Sequence, residues 1–319
     1  MQRQNISCFM NVRNVLSQGY PFVESIISAL PICDEFVVSD GYSDDGTFEI
    51  LERLAELYPK IKLVKIKWKI NEKTKRNGKI LADTANETLR FCKGKYIFYH
   101  QACEVIHEDS VNKIRQLVFN HPNITFFHLP YWNFVRDMVY IESFGLRLSK
   151  NMYGVYAVGD AANLSFSRNT TIKNILNGII RHPFKLKETL SHIYSSYGFV
   201  YGPYMHSILP KPIFRYTGLL FKEDLIQKAE QHKKLLIYNG ISYDRYDEIL
   251  ISLKKNINSE HFWKIWFGYI YNNSSGAPVY FRTPLKTDLS EHPKIVQGLL
   301  KSRKTRYFVR KKLLEDILV

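Results

Sequence analysis

The first 130 or so residues alternate short apolar runs with segments whose apolar residues recur at helical spacing. The apolar runs predict strands at 6–11, 35–40, 61–68 and 96–99. The segments between them predict helices at 21–30, 47–58 and 80–91. Strands that alternate with helices predict an α/β fold, in which a mostly parallel sheet is flanked by helices.

The pattern loosens after residue 130. Apolar runs there predict strands at 124–129, 153–158 and 210–216. Helical spacing predicts helices at 219–237 and 244–256, and a basic amphipathic helix or helix pair at 293–319. The sequence therefore predicts an α/β unit followed by a helical, basic C-terminal region.

Charge narrows the classes of partner. The chain carries 45 Lys and Arg against 30 Asp and Glu, a net charge of +15, which favours an anionic partner such as a nucleotide, a nucleic acid or an anionic lipid. The N-terminus lacks a signal-peptide pattern, and no apolar run approaches the ~18 residues of a membrane span, so we expect a cytoplasmic protein. The four cysteines are scattered, which argues against a structural zinc site or a disulfide framework.

Several enzyme classes are excluded by the absence of their motifs. The ten histidines show no His-x-x-x-His or His-Glu-x-x-His spacing, which argues against a zinc enzyme. The sequence also lacks the glycine-rich phosphate loop, the dinucleotide fingerprint and the Gly-x-Ser-x-Gly elbow.

Ligands of open α/β sheets bind beyond the carboxyl ends of the strands. Asp40 ends the second predicted strand, where a carboxylate can accept hydrogen bonds from a base or a ribose. Arg13 and Asn14 follow the first strand beside the same crevice. Asp45 and its neighbours Asp44 and Thr47 stand at the start of a predicted helix, so these three residues could instead only cap that helix and shape the turn.

A set of motifs occurs in a characteristic order. Asp40-x-x-Ser43-x-Asp45-Gly46-Thr47 is followed by segments at 77–86 and 94–99 and then by Gln101-Ala102-Cys103-Glu104-Val105. In this order the chain resembles family 2 glycosyltransferases of the GT-A fold, in particular a branch that carries a Gln-Ala-Asp-Glu-Val sequence. The resemblance covers about residues 5–165 and continues more weakly to 218.

The resemblance implies a GT-A-like domain at 1–220, with a nucleotide half at about 1–130 and an acceptor half at about 131–220, followed by the helical basic region at 221–319. It implies transfer of a sugar from a nucleotide-activated donor to a glycan, lipid or protein acceptor. It also implies residues that bind the nucleotide-sugar, namely Arg13, Asn14, Asp40, Ser43, Asp45 and Asp83.

An inverting sugar transfer needs a carboxylate that takes the proton of the acceptor hydroxyl. Asp160 follows a predicted strand and matches a Gly-Asp-Ala sequence of the related branch, and Asp137 is the second candidate. Either residue could instead be paired with a nearby arginine.

The metal site departs from the family pattern. Cys103 stands where the family has an aspartate that ligates Mg²⁺ or Mn²⁺, and a thiol is a poor ligand for these ions. Glu104 remains as the one candidate metal ligand, and Cys103 could also be simply a small buried residue. Arg215 stands where related sequences commonly carry histidine. Together the two changes add the two positive charges of the lost ion, which predicts metal-independent binding of the diphosphate, unless Arg215 is only an exposed residue at a strand end.

Two other functions compete with sugar transfer. A degraded homologue could bind a ligand without catalysis, as Cys103 suggests. A nucleic-acid-binding module fits the net charge but not the acidic residues of the crevice loops. The basic tail could contact the inner face of an anionic membrane, or it could be a solvated helix packed by its apolar side.

Overall fold

The structure is a computed structural model. It describes residues 5–75, 78–136, 138–158, 161, 163–166, 194–195, 198–199, 204–216, 222–235, 247, 250–251 and 285–301.

The N-terminal part of the chain alternates strands and helices as the sequence predicts. The elements are β1 (Ile6–Val12), α1 (Phe22–Ala29), β2 (Glu35–Asp40), α2 (Thr47–Leu57), β3 (Ile61–Lys65), α3 (Glu72–Lys75), α4 (Lys79–Leu89) and β4 (Tyr96–Tyr99).

The next elements are mostly strands. They are β5 (Glu104–Ile106), α5 (Glu108–Asn120), β6 (Phe126–Arg136), β7 (Val139–Lys150), β8 (Val155–Val158), β9 (Asn163–Phe166), β10 (Tyr194–Ser195), β11 (Gly198–Phe199), β12 (Tyr204–His206) and β13 (Ile213–Arg215). The described C-terminal elements are α6 (Lys222–Leu235), β14 (Leu285–Lys286), a 3₁₀ helix (Leu289–Glu291) and α7 (Lys294–Lys301).

One sheet organises the molecule, with strand order β3-β2-β1-β4-β7-β6-β13-β5. Strands β1 to β4 are mutually parallel, and β7 joins them to β6 by antiparallel pairings on both of its sides. Strand β13 lies between β6, to which it is parallel, and β5, to which it is antiparallel. The predicted α/β class, a largely parallel sheet flanked by helices, is confirmed.

The sheet is covered on both faces. Strands β2 and β4 are buried along their whole length, and for β4 this explains why its sequence is continuously apolar. Side chains such as Cys8 pack with α1, α2 and α5 on one face, and alternate residues such as Phe9 pack with α4 and the β8–β9 hairpin on the other.

The C-terminal predictions have mixed outcomes. The helix predicted at 219–237 corresponds to α6, and the start of the one predicted at 293–319 corresponds to α7. Residues 302–319, with most of the basic tail, and most of 244–256 lie outside the described residues. Strand β14 pairs with β7, and Val296 of α7 packs in an apolar cluster with β5, β6 and β13. In the part of the chain that the structure describes, no helix is long and apolar enough to cross a membrane.

Two buried histidines should make the protein sensitive to acid. His100 and His292 are fully buried, and burial lowers the pKa of each to about 4. The unfolded chain takes up these protons near pH 6.5, so the free energy of unfolding should fall as the pH drops from about 6.5 to 4. Urea unfolding at several pH values measures this fall. A His292→Phe variant should lose part of the pH dependence and a variant of the exposed His121 should keep it, and equal free energies across that range would contradict the prediction.

Candidate functional site

The carboxyl ends of three neighbouring parallel strands, β2, β1 and β4, meet at one edge of the sheet. They bring together Asp40, the loop that starts at Arg13, and the segment 100–103, which is the crevice that the sequence predicts.

The loop after β1 is tied to the loop after β2. The Asn14 N–H donates to Ser43 Oγ at 2.9 Å, and the Asn14 amide exchanges two hydrogen bonds with Asp44, of 2.7 and 3.0 Å. Asn14 adopts φ 51°, a left-handed conformation that asparagine tolerates. The two loops are therefore held as one unit.

Asp45 strengthens the same connection. Its Oδ2 accepts from the Ser17 N–H at 2.8 Å, and its Oδ1 accepts from the N–H of Thr47, the first residue of α2, at 3.0 Å. Of the predicted binding residues, Asn14, Ser43 and Asp45 thus use polar groups to bond the two loops to each other, and for Asp45 these bonds are of the kind that the turn-shaping alternative describes.

Asp40 presents an acceptor that none of the described residues uses. Its side chain is fully buried, and Oδ2 accepts from the Ser43 N–H at 3.0 Å. Its Oδ1 is buried without a hydrogen-bond partner among the described residues. Because an unsatisfied buried polar atom is destabilising, this oxygen marks a place where a ligand can donate.

Trp68 presents a buried donor, its Nε1–H, that likewise has no hydrogen-bond partner among the described residues. The indole packs on Gly41, where a Cβ would lie only 2.5 Å from Nε1, so residue 41 must be glycine for this packing. An acceptor on residue 40 and a donor packed on residue 41 therefore lie at the carboxyl end of β2.

The structure gives weaker support for Arg13 and Asp83, the other residues predicted to bind the nucleotide. Arg13 is partly buried, and its carbonyl accepts from Gln18 Nε2 at 3.0 Å. Asp83 lies in the second turn of α4 rather than at its start, and its carboxylate forms a partly exposed ion pair with Lys79.

Glu104 is buried in a network of its own. Its Oε1 accepts from Arg147 Nη2 at 3.1 Å, and its Oε2 accepts from the Gln101 N–H at 3.1 Å. His100 Nδ1 lies 3.6 Å from Oε2, and both side chains are 0% exposed. Arg147 therefore balances the charge of Glu104 and also donates to the Ala161 carbonyl at 2.9 Å.

The residues present do not fit a hard divalent cation. Glu104 is engaged by Arg147, its neighbour Cys103 offers sulfur, and no cluster of three His, Cys, Asp or Glu side chains in the described part of the chain could hold a metal ion.

Arg215 reaches the segment that carries Cys103 and Glu104. It lies opposite Glu104 in the β5–β13 ladder, and its Nη2 donates to Gln101 Oε1 at 2.9 Å. The next residue, Tyr216, donates its N–H to the Cys103 carbonyl at 2.8 Å. This placement puts a guanidinium beside the loop that follows β4.

A second cation lies at this place, and no sequence motif indicates it. Lys228 of α6 is only 2% exposed, and its Nζ lies 5.5 Å from the ring centroid of Tyr20 in the loop after β1. Lys228 and Tyr20 each interact electrostatically with Cys103 and Arg215. Burial lowers the pKa of Lys228 to about 7. We call Tyr20, Cys103, Arg215 and Lys228 the cationic cluster.

Tyr131 is a further residue that the sequence did not indicate. Its hydroxyl is buried without a hydrogen-bond partner among the described residues. Burial raises its pKa, and it interacts electrostatically with Glu104, Arg147 and Arg215. A hydroxyl in this position can bond a ligand that enters beside the cationic cluster.

The two candidate bases, Asp137 and Asp160, lie outside the described residues. The residue after Asp160 is described: the Ala161 carbonyl accepts from Gln101 Nε2 at 3.3 Å as well as from Arg147.

Comparisons with known proteins are distant. No family model matches the chain, and a search of curated proteins finds no match. Among solved structures, the chain is similar to TarS of S. aureus at 12% identity and a TM-score of 0.38, over 87% of this chain and 76% of that one. A mannosyltransferase from Pyrobaculum calidifontis, solved with GDP-Man and Mn²⁺, is 14% identical with a TM-score of 0.36, over 100% and 86%.

A third similar structure is glucosyl-3-phosphoglycerate synthase from Mycobacterium tuberculosis, solved with Mn²⁺, UDP and glucosyl-3-phosphoglycerate. It is 19% identical with a TM-score of 0.29, over 40% of this chain and 44% of that one.

Proposed function

We propose that this protein is a glycosyltransferase that binds a nucleotide-activated sugar donor at the carboxyl ends of β2, β1 and β4. The observation that carries the proposal is the buried Oδ1 of Asp40, which accepts no hydrogen bond from the described residues and lies at the edge of the sheet where open α/β folds bind ligands. The order of the motifs around Asp40 and Gln101, which resembles family 2 glycosyltransferases, supports sugar transfer in particular.

The same atoms favour a uracil or thymine base. The imide edge of these bases offers one N–H beside a carbonyl, which matches one free carboxylate oxygen of Asp40 and the indole N–H of Trp68. Guanine presents two adjacent N–H donors on that edge and would need both oxygens, but the second one already accepts from Ser43.

For the proton transfer we propose Asp160, with Asp137 as the alternative. The support for Asp160 is that its neighbour Ala161 is hydrogen-bonded to Gln101 and Arg147, two residues of the site. The proposed acceptor is a glycan, lipid or protein hydroxyl.

Asp40→Asn should weaken the binding of UDP by about 1–3 kcal/mol, the range for a hydrogen bond to a charged group. In asparagine one of the two oxygen positions becomes an NH2 group, which donates and so cannot accept from the Ser43 N–H or from the base. Isothermal titration calorimetry with UDP measures the change, and GDP should bind more weakly than UDP to the unmodified protein.

Glu56→Gln is the matched control, because Glu56 is an exposed carboxylate on α2 that pairs only with Arg53 among the described residues. If Asp40→Asn binds UDP as tightly as this control while both keep their fold by circular dichroism, the assignment of Asp40 is wrong.

A second candidate function, binding of a nucleotide-sugar without transfer, is favoured by one observation, namely Cys103 in place of the expected aspartate. A panel of UDP- and dTDP-sugars distinguishes the two. Slow hydrolysis, in which water takes the sugar and the nucleoside diphosphate is released, supports a transferase, and tight binding without release supports the binding protein.

A further inference from the structure

We infer that the cationic cluster holds the diphosphate of the donor without a metal ion, between Arg215 of β13 and Lys228 of α6. This inference rests on the proposed function, and it names the groups that would contact the two phosphates.

The donor diphosphate needs a cation other than a metal ion. A donor diphosphate brings negative charge into the crevice, and the described donor set does not fit Mg²⁺ or Mn²⁺. Glu104 cannot offer its charge to an incoming ion without releasing Arg147, with which it is buried. The positive charge must therefore come from side chains.

Two cationic side chains converge here from different elements. Arg215 comes from the end of β13 and bonds the neutral amide of Gln101, directly after β4. Lys228 comes from α6 and lies over the ring of Tyr20, in the loop after β1. Lys228 interacts electrostatically with Arg215 and with Cys103, the residue at the position of the missing aspartate.

The two kinds of cation suit the oxygens of a diphosphate. A guanidinium can bind two phosphate oxygens in one plane, and an ammonium group acts as a compact point charge beside them. The two cations repel each other, and an entering dianion offsets that repulsion. Replacing aspartate by cysteine helps, because a carboxylate there would compete with the phosphates for the same two cations.

The experiment compares uridine with UDP, because only UDP has the phosphates. Calorimetry in excess EDTA should give the same affinity for UDP as calorimetry with added Mn²⁺. Lys228→Met and Arg215→Gln should each lower the affinity for UDP by about tenfold or more, which is the effect of losing one charged hydrogen bond. Both should leave the affinity for uridine unchanged. Lys233→Met is the matched control, because Lys233 lies on the same helix but pairs with Asp247.

The outcomes separate this inference from the proposed function. If neither uridine nor UDP binds, the proposed function fails. If UDP binds only with Mn²⁺, or if both variants bind UDP as the control does, the metal-free site is wrong. Should Lys228→Met fail to fold, the EDTA comparison on the unmodified protein and the Arg215→Gln variant still decide the question, and Lys228→Arg should retain the affinity.

Discussion

Arg147→Met should lower the free energy of unfolding by about 3–5 kcal/mol, the range for removing one partner of a buried ion pair. The Arg147 side chain is 3% exposed and the Glu104 side chain 0%, with 3.1 Å between Nη2 and Oε1. Without the guanidinium, Glu104 would remain buried beside His100, which is itself neutral because burial lowers its pKa to about 4. The Ala161 carbonyl would lose a donor at the same time.

Urea unfolding followed by circular dichroism measures this loss. Adding Glu104→Gln to Arg147→Met should restore part of the stability, because it removes the uncompensated charge. Arg53→Met serves as the control, since Arg53 pairs with Glu56 on the surface of α2 and should cost no more than about 1 kcal/mol. A loss as small as that of the control would show that Glu104 is not held as a buried anion by Arg147.

Arg215→Gln should lower the rate of donor cleavage by about 10²–10³-fold, as the removal of one donor that stabilises transition-state charge does. When the bond from the sugar to the diphosphate breaks, negative charge builds up on the leaving phosphate. A guanidinium held beside the loop after β4 by its bond to Gln101 is already oriented to stabilise that charge.

The rate is measured as release of UDP by hydrolysis, in which water takes the sugar. Each UDP-sugar of the panel is supplied at a saturating concentration. Arg215→Lys should recover part of the activity, because it restores the charge without the planar fork. Arg53→Gln on α2 should behave as the unmodified protein. A rate for Arg215→Gln within about threefold of the unmodified protein would exclude Arg215 from this role, since the effect expected of such a donor is far larger.

The sequence predicts the parallel half of the sheet well. In β1 to β4 each strand is separated from the next by a helix, so apolar periodicity along the chain reports directly on the structure. It predicts the antiparallel half poorly. It misses β7 and predicts a strand that covers only the start of β6, because partly polar runs such as 139–145 alternate irregularly and their burial depends on strands distant in sequence.

The same distinction applies to the site. Asp40 could be chosen because it ends an apolar strand, and Arg215 because it departs from a family pattern. Trp68, Arg147 and Lys228 carry no local signal, since their importance comes from contacts with Gly41, Glu104 and Tyr20 that only the folded chain makes. Asp45 is a different case, because its sequence context allows either helix capping or contacts to a ligand. The structure shows its carboxylate in hydrogen bonds within the protein.

The position of β13 has a consequence for how the protein is made. Strand β13 lies between β6 and β5, and β5 has no other strand partner among the described residues. On the ribosome, β1 to β4 can pair early, but β5 and the adjoining edge of β6 must wait until residue 215 has been synthesised and released. Until then both expose unpaired backbone that can bind other chains, so this stage is where a chaperone would be needed, and fragments that end before residue 213 should aggregate.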